Sequence, residues 1–182
     1  MKKRHSVYLI FILLLGAGVR IYNLGIVSFW FDEALDIMKI EGLFPFKNPC
    51  VPILHNVFYY YFIDKGSTEF VLRLPSAIFG IVTILVIYYF GRLVFNKKTG
   101  LISAFILAIS PFHIYYSQET RMYVLLSLLI LLSVYFLKRF LDDGRINLLV
   151  SYIIFTVLSV YVHYVAILTL VAENILFLSY WR

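Results

Sequence analysis

From Ile146 to Ala172 the chain runs for 27 residues without a charged side chain, and Thr99 to Gln118 gives another 20. A helix needs about 20 mainly apolar residues to cross a hydrocarbon layer. Runs of this length confine the chain to a few architectures, all of them membrane-embedded. The composition agrees. Of 182 residues, 62% are hydrophobic and 14% charged, with a mean hydropathy of +0.89. An ordinary soluble domain is about 45–50% apolar and about 25% charged. The one cysteine, Cys50, rules out an internal disulfide framework and a thiolate metal cluster.

Further spans follow from the same criterion. The first covers about Ser6 to Ile26, interrupted by Arg20; the second, about Leu74 to Gly91; the third, Thr99 to Gln118; the fourth, about Met122 to Leu137. The region from Ile146 to Trp181 reads as two spans meeting near "YVHY", residues 161–164, or as one long tilted helix with an interfacial tail. The fold class expected is all-α: a polytopic bundle of five or six transmembrane helices forming one membrane domain over residues 1–182. The start, "MKKRH" followed by an apolar run and "GAG", loosely fits a secretory signal. The length of the run, with Arg20 and Tyr22 directly after it, favours a retained span.

Charge sets the orientation, because Lys and Arg collect in cytoplasmic segments. With the N-terminus inside, "MKKR", "GRLVFNKK", "KRFLDDGR" and Arg182 are cytoplasmic. Asp32, Glu33, Asp36, Glu41, Asp64, Glu69 and Glu119 are then all outside. The formal charge of +6 is explained by this bias, and no stacking module accompanies it, so nucleic acid is not expected as a partner. The longest outer segment, about 27–73, begins "FDEALDIMKIEGL", with apolar residues at near-helical spacing. It predicts a short amphipathic helix on the membrane surface, ended by Gly42 and Pro45. The segments "FKNPCVPILHN" (46–56) and "VFYYYFI" (57–63) read as a Pro-punctuated connection and an interfacial aromatic stretch.

Three outer segments put ionisable groups at headgroup depth: "FWFDEA", "SPFHIYYSQETRMY" and "YVHY". Ionisable groups at the bilayer are costly and point to function. Asp32 and Glu33 are adjacent, so a helix turns their carboxylates different ways. Two readings are open: one acid as general base and the other as ligand or orienting group, or both as first-turn acids complementing the helix dipole with Asp32 near the N-cap. Glu119 can accept a proton or bind a cation, and the Arg121 fork suits a phosphate; a solvated helix–helix turn is the plainer reading. His113 shares that segment. His163 is a packing histidine or a ligand contact, and His55 is a weaker candidate in a loop. Arg73 either snorkels or contacts phosphate. Arg20 is expected to snorkel, and Glu173, an acid in the last span, needs an interhelical partner.

The pieces "FWFDEA", "RLPSAIFG", "GRLVF", "SPFHIYYSQETRMY" and "YVHY", in this order, resemble the membrane glycosyltransferases of the GT-C class. The resemblance is in particular to the family 39-like branch that includes dolichyl-phosphate-mannose protein mannosyltransferases and bacterial aminoarabinose transferases. That resemblance implies transfer of a sugar from a polyprenyl-phosphate carrier to an extracytoplasmic lipid, glycan or protein. It implies Asp32 as catalytic base, Glu33 completing the Asp-Glu motif, and Glu119 and Arg121 lining the site. Arg121 or Arg73 then faces the lipid phosphate. Some relatives use a divalent metal, for which Glu33, Glu119 or His113 are the candidates. Family members are usually several hundred residues long with more spans, and their "HPP" pattern is replaced here by "NPCVPILHN". The chain therefore reads as the N-terminal, catalytic-loop half of such an enzyme. The rival readings are a non-catalytic membrane subunit binding lipid or partner helices, and a transporter piece with Glu173 and His163 on its pathway.

Overall fold

The computed structural model describes residues 2–40 and 68–180. The expectations for Gly42, Pro45, His55 and the segments 46–56 and 57–63 lie outside those residues. Every regular element among the described residues is helical: α1 (Lys2–Ile21), α2 (Phe31–Ile40), α3 (Glu69–Val94), α4 (Lys97–Ile109), α5 (Pro111–Ser117), α6 (Tyr123–Asp143), α7 (Ile146–Val162), a 3-10 turn (Tyr164–Ala166) and α8 (Ile167–Tyr180).

Two helices, α3 and α6, are long and apolar enough to cross a membrane, and the bent pair α4–α5 makes a third if counted as one span. The helical segments His5–Ile21, Ile146–Val162 and Tyr164–Ile175 are apolar but shorter. At 1.5 Å per residue, α7 is about 25 Å long against a hydrocarbon core of about 30 Å. Among the described residues the architecture is all-helical, with two or three candidate spans by length and composition.

The uncharged run 99–118, expected as one span, is broken. Ser110 leaves the helical region at φ −64, ψ 115, and α4 and α5 diverge by 62°. The cause is local. Proline disfavours helical geometry in the residue before it and starts a new helix well at its own first turn, and Pro111 does both. The last region also divides, at His163, whose backbone is extended. Its Nδ1 accepts from the Val165 amide at 3.2 Å and so caps the 3-10 turn.

α1, α3 and α4 share a core of Ile12, Ile84, Tyr88, Ala104 and Ala108. α3 and α4 approach closely because Gly91 and Gly100 face each other. A Cβ on Gly100 would lie 2.5 Å from the Tyr88 carbonyl oxygen. Small residues at such crossings let helix backbones meet where no water drives association. Asn96 starts α4 by accepting from the amides of Lys98 and Thr99 at 2.9 and 3.0 Å. α6 and α7 form a hairpin around Met122, Leu129 and Val162. It turns at Gly144, whose φ of +67 is the left-handed cap that glycine adopts without cost.

Arg20 does not snorkel. Its side chain is 0% exposed. Nη1 donates to the carbonyls of Gly16 (2.9 Å) and Ala108 (3.0 Å), and Nη2 to that of Leu107 (3.1 Å). The last carbonyls of α4 lack the amide four residues on, Leu107 keeping only the Ser110 cap, so they receive the guanidinium, and the negative helix terminus accommodates its charge. Residues 87 and 88 positions away supply these acceptors, which is why a local reading sent Arg20 to the interface. Glu173 has the interhelical partners it requires: Ser133 of α6 and Tyr152 of α7 lie within hydrogen-bonding distance of its carboxyl.

Candidate active site

α1 ends at Ile21 and the chain turns through residues 22–30, with Asn23 in the left-handed region at φ +59. Leu24 is buried beneath this turn. α2 begins at Phe31, after the Trp30 carbonyl accepts the first helical bond from Ala34 at 3.0 Å. Glu33 is therefore the third helical residue. Its Oε2 reaches back to the Trp30 amide at 3.1 Å, the carboxylate half of a capping box. The capping function thus belongs to Glu33 and not to Asp32.

Glu33 does much more than cap. Arg73, near the start of α3, donates from Nε to Oε1 at 3.1 Å and from Nη2 to Oε2 at 2.7 Å. The Thr120 amide adds a fourth bond to Oε1 at 2.6 Å. The carboxylate is 1% exposed. Burial alone pushes its pKa up, but the Arg73 guanidinium and the amides of Thr120 and Trp30 outweigh that and hold it below the ordinary glutamate value. Arg73 also donates to the carbonyls of Leu24 (3.2 Å), Val27 (2.7 Å) and Ser28 (3.3 Å), with its guanidinium over the Phe29 ring. It neither snorkels nor projects toward solvent. The Glu33–Arg73 pair joins three pieces distant in sequence: the 24–33 turn, the start of α3 and the 118–122 connection.

Asp32 has the opposite environment. Its side chain is 52% exposed, and its charged neighbour is Arg121, with Nη2 3.7 Å from Oδ2. Arg121 is held mainly by Asp36, one helical turn further along α2, at 2.6 Å. It also donates to the Asp32 carbonyl at 3.3 Å and lies over the Tyr123 ring. Burial alone lowers its pKa, but Tyr123, Asp36 and Asp32 reverse this and raise it, so the cation persists across the accessible range. Glu119, two residues away, has a raised pKa, first from burial and then from the nearby Glu33 charge, opposed by a hydrogen bond from Tyr115.

A row of rings approaches this corner. Phe112 and Tyr115 each pack edge-on against Tyr116, at 4.7 and 5.3 Å between centroids, and Tyr116 packs against Tyr123 at 5.0 Å. His113 lies inside, on the other side of α5. Its Nδ1 accepts from Arg20 Nη2 at 2.9 Å, which puts its proton on Nε2. His163 stacks on Tyr164 and caps the 3-10 turn; the adjacent Val162 packs on Met122, at the edge of the same corner. Asp32, Glu33, Arg73, Glu119 and Arg121 are thus brought together, whereas His113 and His163 are engaged elsewhere. Among the described residues no group of three or more His, Cys, Asp or Glu is placed to hold a metal ion. Glu33, one of the candidate ligands, is already filled by four donors.

Sequence reasoning missed three participants. Asp36 anchors Arg121, a role legible only from its position one turn after Asp32. Gln118 closes the end of α1, its Nε2 lying 3.2, 3.3 and 2.9 Å from the carbonyls of Val19, Arg20 and Tyr22. The third is the Thr120 amide, which no side-chain pattern announces.

The sequence model of one family, described as dolichyl-phosphate-mannose-protein mannosyltransferase, matches residues 47–181. The match takes in Arg73, His113, Glu119, Arg121 and His163; Asp32, Glu33 and Asp36 precede it. No curated protein and no solved structure matches the chain.

Proposed function

The chain belongs to the dolichyl-phosphate-mannose-protein mannosyltransferase family of membrane glycosyltransferases, and from that premise we propose that it moves a sugar from a polyprenyl-phosphate carrier to an extracytoplasmic acceptor, with Asp32 as general base. In this reading residues 1–182 form one membrane domain of five or six spans. The N-terminus is cytoplasmic and residues 27–73 are an outer loop. Structure and charge pattern support that sidedness together. α6 starts beside Arg121 and is 21 residues long, about 31 Å. Lys138 and Arg139 lie about 23–24 Å along α6 from its start, and Arg145 follows beyond its end, so the basic turn and the acidic corner are at opposite ends of the helix.

The observation that carries the assignment is the division of labour between two adjacent acids. Glu33 is enclosed by four donors and cannot take a proton without breaking the corner. Asp32 is open to solvent, and Arg121 beside it keeps its carboxylate oriented. A base needs reach and an ionised form at the working pH, and of the two only Asp32 has the reach. In the proposed step Asp32 removes the acceptor hydroxyl proton as the acceptor oxygen bonds to the sugar's anomeric carbon. The carbon–oxygen bond to the lipid phosphate breaks on the opposite face, and its electron pair leaves with the phosphate. Such displacement inverts the anomeric centre and passes through an oxocarbenium-like transition state, as in inverting glycosidases. Arg121 offsets the charge developing on the phosphate. Glu33 and Arg73 act by positioning the 24–33 turn. Glu119, partly sheltered and raised in pKa, lines the acceptor side. His113 contributes through Arg20, and His163 through the shape of the adjacent turn. The ring row from Phe112 to Tyr123 offers apolar surface to a prenyl chain.

The test is reconstitution of the chain in lipid with polyprenyl-phosphate sugars and an acceptor, reading release of the lipid phosphate. Sugar-dependent release supports the reading. Binding of the carrier without release points instead to a non-catalytic lipid-binding subunit.

A further inference from the structure

Glu173 sits in α8 with its side chain 2% exposed, far in sequence from the acidic corner and unused by the proposed chemistry. Two polar contacts reach its carboxyl, and two more link the partners to each other. Ser133 Oγ is 2.7 Å from Glu173 Oε1. Ser133 Oγ is also 2.7 Å from Thr156 Oγ1. Thr156 Oγ1 donates to the Tyr152 carbonyl at 2.8 Å. Tyr152 Oη is 3.2 Å from Glu173 Oε2.

Each contact requires one proton, and a hydroxyl supplies one. The Thr156 proton is committed to the Tyr152 carbonyl. The Ser133 proton must then fill the contact with Thr156, and the Tyr152 proton the contact with Oε2. Three hydroxyls have filled three contacts, and the 2.7 Å approach of Ser133 to Oε1 has none left. With an ionised Glu173, two oxygen lone pairs would face each other at hydrogen-bonding distance in a site without water access. With a protonated Glu173, the fourth proton is present and every contact is satisfied.

We infer that Glu173 is a neutral carboxylic acid that donates to Ser133, closing a hydrogen-bond circuit that pins α8 to the α6–α7 hairpin. The direction is Glu173 to Ser133 to Thr156 to the Tyr152 carbonyl, with the Tyr152 hydroxyl returning to Glu173. The surroundings fit. α6 presents a serine hydroxyl, α7 presents a threonine and the titratable Tyr152, and among the described residues no Lys, Arg or His pairs with the carboxyl. An isolated carboxylate in a span has a high cost, which a neutral acid with two partners avoids. This assignment is independent of the glycosyltransferase reading.

Infrared difference spectra of the full chain in lipid nanodiscs at neutral pH, parent against Glu173→Gln, test it. The parent is expected to show a protonated-carboxyl C=O band that the variant lacks. A difference consisting only of lost carboxylate bands would overturn the inference. Thermal unfolding gives a second readout. The glutamine amide can still donate to Ser133 and accept from Tyr152, so Glu173→Gln should keep the parent midpoint. Glu173→Ala, which loses two buried hydrogen bonds, should lower it by about 4–8 °C. Equal losses in Gln and Ala would also overturn the inference.

Discussion

Replacing Glu33 by Gln changes one oxygen to an NH2 group and leaves volume and shape intact. The surroundings make that change severe. Four donors converge on the two carboxylate oxygens: Nε and Nη2 of Arg73 and the amides of Trp30 and Thr120. An amide cannot turn two acceptors toward four donors, so one donor pair must separate. Arg73, itself buried, also loses its counter-charge. Removing one partner of a buried ion pair typically costs about 3–5 kcal/mol, and we expect Glu33→Gln to fall in that range. The assay is reversible unfolding in detergent, comparing the parent and E33Q and, as a closed cycle, the single variants E33L and R73M with the double variant E33L/R73M. The double variant should lose less than the two single losses added, by an amount in the range of about 0.5–3 kcal/mol, because it removes the unpaired charge as well as the pair. The pH dependence has a definite sign. The folded pKa of Glu33 is depressed, so its stabilisation is present above the ordinary glutamate value and lost as pH falls through the folded one. The gap between parent and E33Q should therefore be full at neutral pH and close in acid. Equal midpoints for parent and E33Q at neutral pH would refute the reasoning.

Other consequences are open to measurement. Arg121→Ala should weaken the use of the lipid-phosphate donor, seen as a rise in the donor KM, while the chain still inserts; unchanged donor dependence would argue against a phosphate contact. Gly100→Ala drives a Cβ to 2.5 Å from a backbone carbonyl that cannot yield, and overpacking of this kind costs about 1–3 kcal/mol in unfolding experiments. Gln118→Ala removes the side chain that closes α1, and faster amide exchange in residues 19–24 is expected, with α6 and α7 unaffected.

Much of this architecture was legible in the sequence, because membrane helices are written as composition. The uncharged runs marked the helices, and the placement of Lys and Arg predicted which turns share an end. The charge pattern put "FWFDEA" and "SQETRMY" at one end of the bundle, and Glu33 meets Thr120 while Arg121 meets Asp36 and Asp32. What composition does not encode is the partner. Asp32 and Glu33 are neighbours with the same charge, and only Arg73, 40 residues further on, decides which one is buried. Arg20 looks like any span-end arginine until the broken α4 offers it carbonyls. The break itself was signalled by Ser110 and Pro111, but a hydropathy reading passes over a proline inside an apolar run. The adjacent acids that follow α1 thus separate into a capping, ion-paired Glu33 and an open Asp32.

The central claim rests on that separation, and Asp32→Asn tests it most directly. In a lipid-reconstituted, transfer-competent preparation, the account predicts that this substitution abolishes sugar transfer, with membrane insertion and unfolding midpoint unchanged, because Asp32 is exposed and anchors nothing buried. Transfer at the parent rate in the Asn variant would contradict it.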